Sequence, residues 1–502
     1  LLSAALLLST SCTLTLDYNQ CETNQDCVAK NSTPATPYCT SDKICVTDTP
    51  VELLCDETPY PEVSKRTRVS RIGALLNVSK DGNSGADQYR LLMIKAAVEE
   101  INTQVAAFSE TVGTIELYIC HINSPADTVN ALRELSTKRQ IVAAIGPSTE
   151  PEVKQLIDAS ATLQVPVLLP AATADALSMV SKRAFAFFLA PLDKQQAPSM
   201  ASAVPNRQTV TVITQQGSYG RSLQGAFVSE YNRRDAMNNM GISVPAPFAD
   251  SDEGIAQLQT LAQMLAPQIP IVSYMTLLVT PTRVGAVTAL QSMPYDSKNA
   301  SKTTQFISSD GGRSGPMLEL ARQVQQAALA APMDMTVLRT LNNFRRLRGI
   351  SPTPLVNNAT TSSFRTPFLT KNPGFEFGRD LYMTFAYDAV YTAALAIDSV
   401  NLSAGTAVTG ADVANVLRLI NNNGKEIASL GYAAYPTSVA KISKKEPVQL
   451  EGLTGVIGFD TDGTRQGAQY ETWWIEFEQD RKTPTGKDPT FVNTDPRAVV
   501  GM

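Results

Sequence analysis

Residues 71–102 read RIGALLNVSKDGNSGADQYRLLMIKAAVEEIN, an aliphatic run that breaks at a polar, glycine-bearing turn and resumes with a helical pattern. The run 72–78 is apolar at most positions and lacks in–out alternation, which predicts a strand buried on both faces. From 87 to 102 the apolar residues Leu91, Leu92, Ile94, Val98 and Ile101 recur at helical spacing. The cycle then repeats, with strands predicted at 114–120, 141–145 and 165–169 and helices at 127–138 and 150–163. After 185–193 a second series begins, with strands at 209–214, 269–278 and 304–308 and helices at 222–233, 255–265 and 283–293. Buried strands that each lead into a helix imply parallel sheets covered on both faces. The chain of 502 residues exceeds the ~250–300 at which one hydrophobic core stops growing. The expected fold class is therefore α/β, with two doubly wound lobes. Three further stretches are read from composition. Residues 351–373, rich in Ser, Thr, Pro and Asn, read as a long surface loop. Residues 317–348 read as an extended helical region whose basic end, Arg345, Arg346 and Arg348, is a solvated face. From 482 onward the chain reads as a loose tail.

Composition excludes several functions. With 42 Lys and Arg against 47 Asp and Glu, the net charge is -5, and no clustered basic surplus exists to neutralise nucleic-acid phosphates. One histidine, His121, cannot build a multi-histidine metal site or a metalloprotease helix. It stands beside Cys120, but a Cys-His dyad needs a free thiolate, and this cysteine is expected to be oxidised. His121 then reads as a surface or capping residue. Neither a phosphate-cradling GxxxxGK[ST] nor a Gly-x-Ser-x-Gly elbow occurs. The expectation is a chain that is not an enzyme, with no catalytic residue, cofactor or metal.

The chain has seven cysteines. Cys21, Cys27, Cys39 and Cys45 lie in a short polar stretch that could not form a core unaided, so they read as a small N-terminal disulfide-rich module in an oxidising compartment. Zinc is the weaker alternative, because the stretch has no Cys-x-x-Cys pair and no His. Cys55 precedes the first strand of the body and Cys120 ends the second, so this pair is expected to tie the module's exit to the body. The apolar residues 1–8 are too few to span a bilayer. Followed by Ser9, Thr10, Ser11 and Cys12, they resemble the end of a bacterial lipoprotein signal, in which Cys12 is acylated. The expected location is the periplasm or cell envelope, reached by export and held by a lipid anchor.

Six blocks in order carry a family resemblance: the opening stretch, IVAAIGPSTEPEVKQLIDASATLQVPVLLPAATADAL from 141, VTVITQQGSYGRSLQGAFVSEY from 210, FISSDG from 306, YDAVYTAALAI from 387 and GLTGVIGFDTDGTRQGAQYETWWI from 452. Together they resemble the type I periplasmic solute-binding proteins of the branched-chain amino-acid group, relatives of receptor ligand-binding domains. The resemblance implies a periplasmic-binding-protein-like I fold, with lobes joined by a three-segment hinge and a ligand at the carboxyl ends of the strands. It divides the chain into a signal remnant at 1–12, a cysteine-rich module and linker at 13–66, a first lobe at 67–191 plus 376–458, a second lobe at 192–375 plus 459–480, and a tail at 481–502.

Within that frame, Ser148 and Thr149 open a helix whose free N–H groups and hydroxyls suit a ligand carboxylate, although Thr149 could equally cap its own helix. Ala171, Ala172 and Thr173 match the block that in relatives receives the ligand's amino and carboxylate groups, with Leu169 standing where the family has Ser. Tyr219 matches the aromatic that lies over the ligand. Asp310 could pair a ligand ammonium, or simply belong to an Asp-Gly turn. Thr280 is the one polar residue in 278–281, where relatives place a further contact. The implied partners are an amino-acid-like small molecule, an ABC permease, and a membrane through the lipid anchor. A ligand sensor, or a structural surface lipoprotein of the same fold, is the alternative.

Overall fold

A computed structural model describes residues 38–39, 45–46, 54–61, 69–82, 84–108, 113–180, 183–204, 209–234, 242–249, 251–265, 274–278, 305–404, 407–477, 480 and 488–493. The chain divides into two units, 1–54 and 55–502. In the first unit, Tyr38–Cys39 and Cys45–Val46 pair antiparallel with Cys39 opposite Cys45. Cys12, Cys21 and Cys27 lie outside the described residues, as do Thr280 and the helix expected at 283–293.

The second unit has an α/β periplasmic-binding-protein-like I fold in two lobes. Its first sheet runs Thr114–His121, Val69–Leu76, Ala143–Ile145, Val167–Leu169, Ala186–Phe188, parallel throughout. The strands are buried almost end to end, as the aliphatic runs require. Helices Gln88–Phe108 and Met383–Ala404 pack together on this sheet, so residues near 390 return to the first lobe. The second sheet runs Thr490–Asn493, Tyr470–Glu476, Leu347–Pro352, Gln305–Ser308, Tyr274–Leu278, Val210–Thr214, Ile242–Ser243. Its last five strands are mutually parallel, and the first two are antiparallel additions. In each sheet one strand starts the series and the next two in the chain flank it on opposite sides only at one place, between Val69–Leu76 and Ala143–Ile145 and between Val210–Thr214 and Tyr274–Leu278. Chains leaving those strands diverge and open a crevice.

The segment before the first strand is stitched to the outer edge of the first sheet. Cys55 and Cys120 are disulfide-bonded. Asp56 N–H donates to the Ile119 carbonyl at 2.8 Å, and Tyr60 and Leu117 exchange two backbone bonds. An edge strand that would otherwise expose a row of unpaired groups is thereby covered. His121 is buried rather than superficial: Nε2 lies 2.9 Å from Asp56 Oδ1 and Nδ1 3.1 Å from the Val78 carbonyl. With Cys120 oxidised, the histidine has no thiolate to work with.

Three expectations are corrected. The surface loop at 351–373 is instead the end of the strand Leu347–Pro352 and a helix, Ala359–Lys371. Asn358 caps that helix by accepting from Thr361 N–H at 2.8 Å, and Phe364 and Phe368 bury themselves with Phe375, Phe377 and Tyr387 in the first lobe's core. The chain has therefore returned to the first lobe by Val356, well before 376. The tail after 482 contains the strand Thr490–Asn493, whose Phe491 packs edge-on to Trp473 at 5.1 Å. The helical region at 317–348 is two helices, Gly315–Ala330 and Met335–Arg345, and its basic end is engaged: Arg345 pairs with Asp480 at 2.6 Å, and Arg346 lies over the Phe306 ring.

Candidate functional site

Beyond Ala143–Ile145 the chain turns through Gly146 at φ +86°, where an added Cβ would stand 2.4 Å from the Leu75 carbonyl oxygen. Only glycine lets the loop pass so close to the neighbouring strand. The loop then delivers Ser148, whose hydroxyl donates to Asp87 Oδ1 at 2.7 Å. Asp87 Oδ2 accepts from Asn77 N–H at 2.8 Å, and Arg90 bridges Asp87 to Asp380, which it meets at 3.1 Å. Asp380 forms a backbone bridge with Ser314 of the second lobe. Thr149 serves its own helix, its N–H donating to Glu152 Oε2 at 3.1 Å. The next residue, Glu150, accepts a hydrogen bond from Ser218 of the second lobe.

The strand Val167–Leu169 leads through Pro170 to Ala171, Ala172 and Thr173, of which Ala172 and Thr173 are buried. The Thr173 carbonyl accepts from Asp193 N–H at 2.8 Å, which fastens this loop to the segment crossing between lobes. Asp193 is 1% exposed and neither carboxylate oxygen has a hydrogen-bond partner; the Thr173 hydroxyl steadies the charge without completing a bond. Burial first, then the charge of Asp310, push its carboxyl well above the ordinary carboxylate range, with Asp175 and Glu150 adding to the effect.

From the second lobe, Tyr219 opens the helix Ser218–Arg234 and donates to Asp310 Oδ1 at 2.5 Å, with Ser309 Oγ at 2.9 Å. Its phenol oxygen also accepts from Gly311 N–H at 3.2 Å. Tyr382, from the first lobe, donates to the other oxygen of Asp310, so one aspartate ties the lobes together through two phenols. Burial raises the Asp310 carboxyl while the two phenols pull it down. Tyr470 completes the group: its hydroxyl is buried without a partner and feels Asp310, Asp193 and Asp175. A further lobe contact runs from Ser222 Oγ to Asp175 Oδ2 at 2.8 Å.

Three crossings join the lobes, near 190–193, 352–356 and 466–470. The second and third are paired through Thr353 N–H and the Gln469 carbonyl at 2.9 Å. Between them lies Arg465, fully buried, donating to the carbonyls of Leu189, Thr454 and Val456 and to Thr454 Oγ1. The third crossing comes after Arg465–Gln466, which still pairs with the first lobe's small sheet.

Of the residues singled out from sequence, Thr173, Tyr219 and Asp310 are brought together around Asp193. Ala171 and Ala172 precede Thr173 on its loop, Ala171 packed against the first lobe's core and Ala172 buried, and Ser148 and Thr149 lie on another first-lobe loop. Sequence reasoning missed Asp193, Tyr382 and Tyr470. Asp193 stands at the end of the stretch 185–193 and opens the helix Asp193–Ser202, and no motif singled it out. The tyrosines carried no signal, because each depends on a chain that returns from far along the sequence.

The two lobes thus meet at a buried polar cluster, Asp310 held by Tyr219 of one lobe and Tyr382 of the other. Residues 90–476 match the family described as the receptor family ligand binding region, and the chain belongs to that family. It is a family of binding proteins, not of enzymes. Among solved structures, an ABC transporter substrate-binding protein from Desulfitobacterium hafniense is similar at 16% identity and TM-score 0.56, over 85% of this chain and 100% of that one. The leucine-binding protein LivK from Thermotoga maritima is similar at 13% identity and TM-score 0.56, over 86% and 99%. A solute-binding protein of an ABC transporter from Rhodopseudomonas palustris, in complex with 3,4-dihydroxybenzoic acid, is similar at 12% identity and TM-score 0.54, over 86% and 99%. No curated protein matches the chain. Among the described residues, no helix is long and apolar enough to cross a membrane.

Proposed function

We propose that this protein captures a small polar solute with an amino group, an amino acid or a related compound, outside the cytoplasm for ABC-type uptake. The observation that carries the reading is the bridge from Tyr219 and Tyr382 to Asp310, set beside Thr173 and the unpartnered Asp193 where the lobes meet. In this reading a ligand ammonium placed there would receive both carboxylates, and its other end would fall to the Ala171–Thr173 and Ser148 loops. Buried carboxylates gain from a cation that enters with closure, because an unpaired charge out of water is costly. Relatives in fold bind leucine, isoleucine or benzoates, as their structures record.

In this reading Cys12 carries the lipid anchor, Cys21, Cys27, Cys39 and Cys45 staple the N-terminal module, and the lobes deliver ligand to a permease. The test is a thermal-shift and calorimetric panel of amino acids and amines on the folded chain. A ligand at ~100 times its Kd stabilises by ~2.7 kcal/mol, and Asp310→Asn should abolish that stabilisation. A panel without a single binder would remove the reading. A sensing role is separated from transport by asking whether the loaded protein stimulates a permease ATPase encoded beside it.

A further inference from the structure

Charge at the lobe junction is one-sided. The buried Asp193 feels three other carboxyl groups there, those of Asp310, Asp175 and Glu150. Two of them are engaged across the junction: Asp175 accepts from Ser222 and Glu150 from Ser218, and Glu150 also feels Lys154 and Arg221. Among the described residues, no cation acts on Asp193 or Asp310 in this way. The partners of Asp310 are phenols and a backbone N–H, and the oxygens of Asp193 have none. Three arginines of the two lobes are committed elsewhere, Arg90 to Asp87 and Asp380, Arg313 to Glu471, and Arg465 to backbone carbonyls. The walls are aromatic: Tyr219, Tyr382 and Tyr470, each of which is influenced by Asp310 and Asp193. Tyrosine faces and buried carboxylates both favour organic cations.

The balance of charge discriminates between solutes. An amino acid of zero net charge brings one ammonium, but also a carboxylate that must sit in the same closed space, so two buried negative charges remain uncompensated. An aromatic carboxylic acid adds a third. A diamine supplies two positive charges and leaves none over. A bare metal ion is a poor fit, since among the described residues no three of the usual ligating side chains are placed to hold one.

We infer that the solute is an organic cation of net positive charge, a diamine-type ligand whose protonated amines are shared between Asp193 and Asp310 within the tyrosine walls. This rests on the reading of the junction as a solute-capturing cleft and specifies what enters it. Removing one charge from the ligand, or the unpartnered carboxylate from the protein, weakens binding. Removing Asp193 should also relieve the empty protein of a buried carboxyl whose oxygens lack hydrogen-bond partners.

The test is isothermal titration of the full chain with putrescine, N-acetylputrescine, L-leucine and 4-hydroxybenzoate, alongside melting curves. Putrescine is expected to bind at least about tenfold more tightly than N-acetylputrescine or L-leucine, with 4-hydroxybenzoate silent. Asp193→Asn is expected to lose putrescine affinity by about tenfold or more while the empty variant melts higher than the wild type, a combination that a merely structural role would not produce. Tighter binding of L-leucine or 4-hydroxybenzoate than of putrescine would overturn the inference and leave solute capture standing. Equal binding of putrescine and its monoacetyl form by the unaltered protein would overturn it without recourse to a variant. Silence of all four ligands in folded protein would overturn the inference and the capture reading together.

Discussion

Arg465 shows how one side chain can hold the crossings in place. Its guanidinium reaches the Leu189 carbonyl at 2.9 Å and the Thr454 and Val456 carbonyls at 2.8 Å, so it joins the first crossing to the strand pair that precedes the third. Burial pushes its pKa down to about 10 against the opposing influence of Asp388, which itself accepts from Leu453 and Thr454 N–H at 2.9 Å. Arg465→Met would leave carbonyls unsatisfied and Asp388 without its cation, so a loss of ~3–5 kcal/mol in urea denaturation is expected. His121 offers a pH test at the same scale. Its hydrogen bond to Asp56 raises its pKa despite partial burial. The folded state therefore holds the proton more tightly than the unfolded state. The stabilisation is complete below the unfolded value of about 6.5 and is lost as pH rises through the folded value. Wild type minus Asp56→Asn, followed by melting temperature from pH 5 to 9, should show a difference that shrinks as pH rises; a constant difference would disprove the linkage.

At the scale of elements, the strands were legible because burial on both faces leaves an unbroken aliphatic run, as in Ala143–Ile145 and Val167–Leu169. The helix Ala359–Lys371 was not. Its Ser and Thr residues and Pro367 argue locally for a loop, and tertiary packing overrides them. The spacing of Phe364 and Phe368 is helical, yet two aromatics make too short a stripe to read without knowing that Phe375, Phe377 and Tyr387 wait opposite them. Phe364, 2% exposed and 4.7 Å from the Tyr387 ring, carries the docking. Phe364→Ala is expected to cost ~3–5 kcal/mol by cavity formation. Asn358→Ala, which removes only the cap, should cost ~1 kcal/mol. Equal losses in chemical denaturation would mean that the helix is held by its cap and not by its rings. The strand Thr490–Asn493 was hidden for a related reason: Thr, Phe and Val favour a strand, but four residues make too short a run to read without knowing that Tyr470–Glu476 offers them an edge.

At the scale of the molecule, the site exists only when both lobes contribute. Asp310 and Tyr219 come from one, Thr173 and Tyr382 from the other, and sequence could name individual candidates but not the pairing across the gap. The contact of Ser222 Oγ with Asp175 Oδ2 at 2.8 Å spans the same gap. In an opened clamp both groups would be hydrated, so their bond contributes to closure alone. Apparent affinity in such a system is the intrinsic affinity scaled by the fraction of protein able to close. A hydrogen bond to a charged group contributes ~1.5–3 kcal/mol, so Ser222→Ala should weaken ligand binding by roughly 10- to 150-fold. The factor should be the same for strong and weak ligands, because the lost contact does not discriminate among them. Calorimetry with two ligands of different affinity measures it directly. A ratio of affinities that changes with the substitution would place Ser222 against the ligand, and unchanged affinities would uncouple this contact from closure.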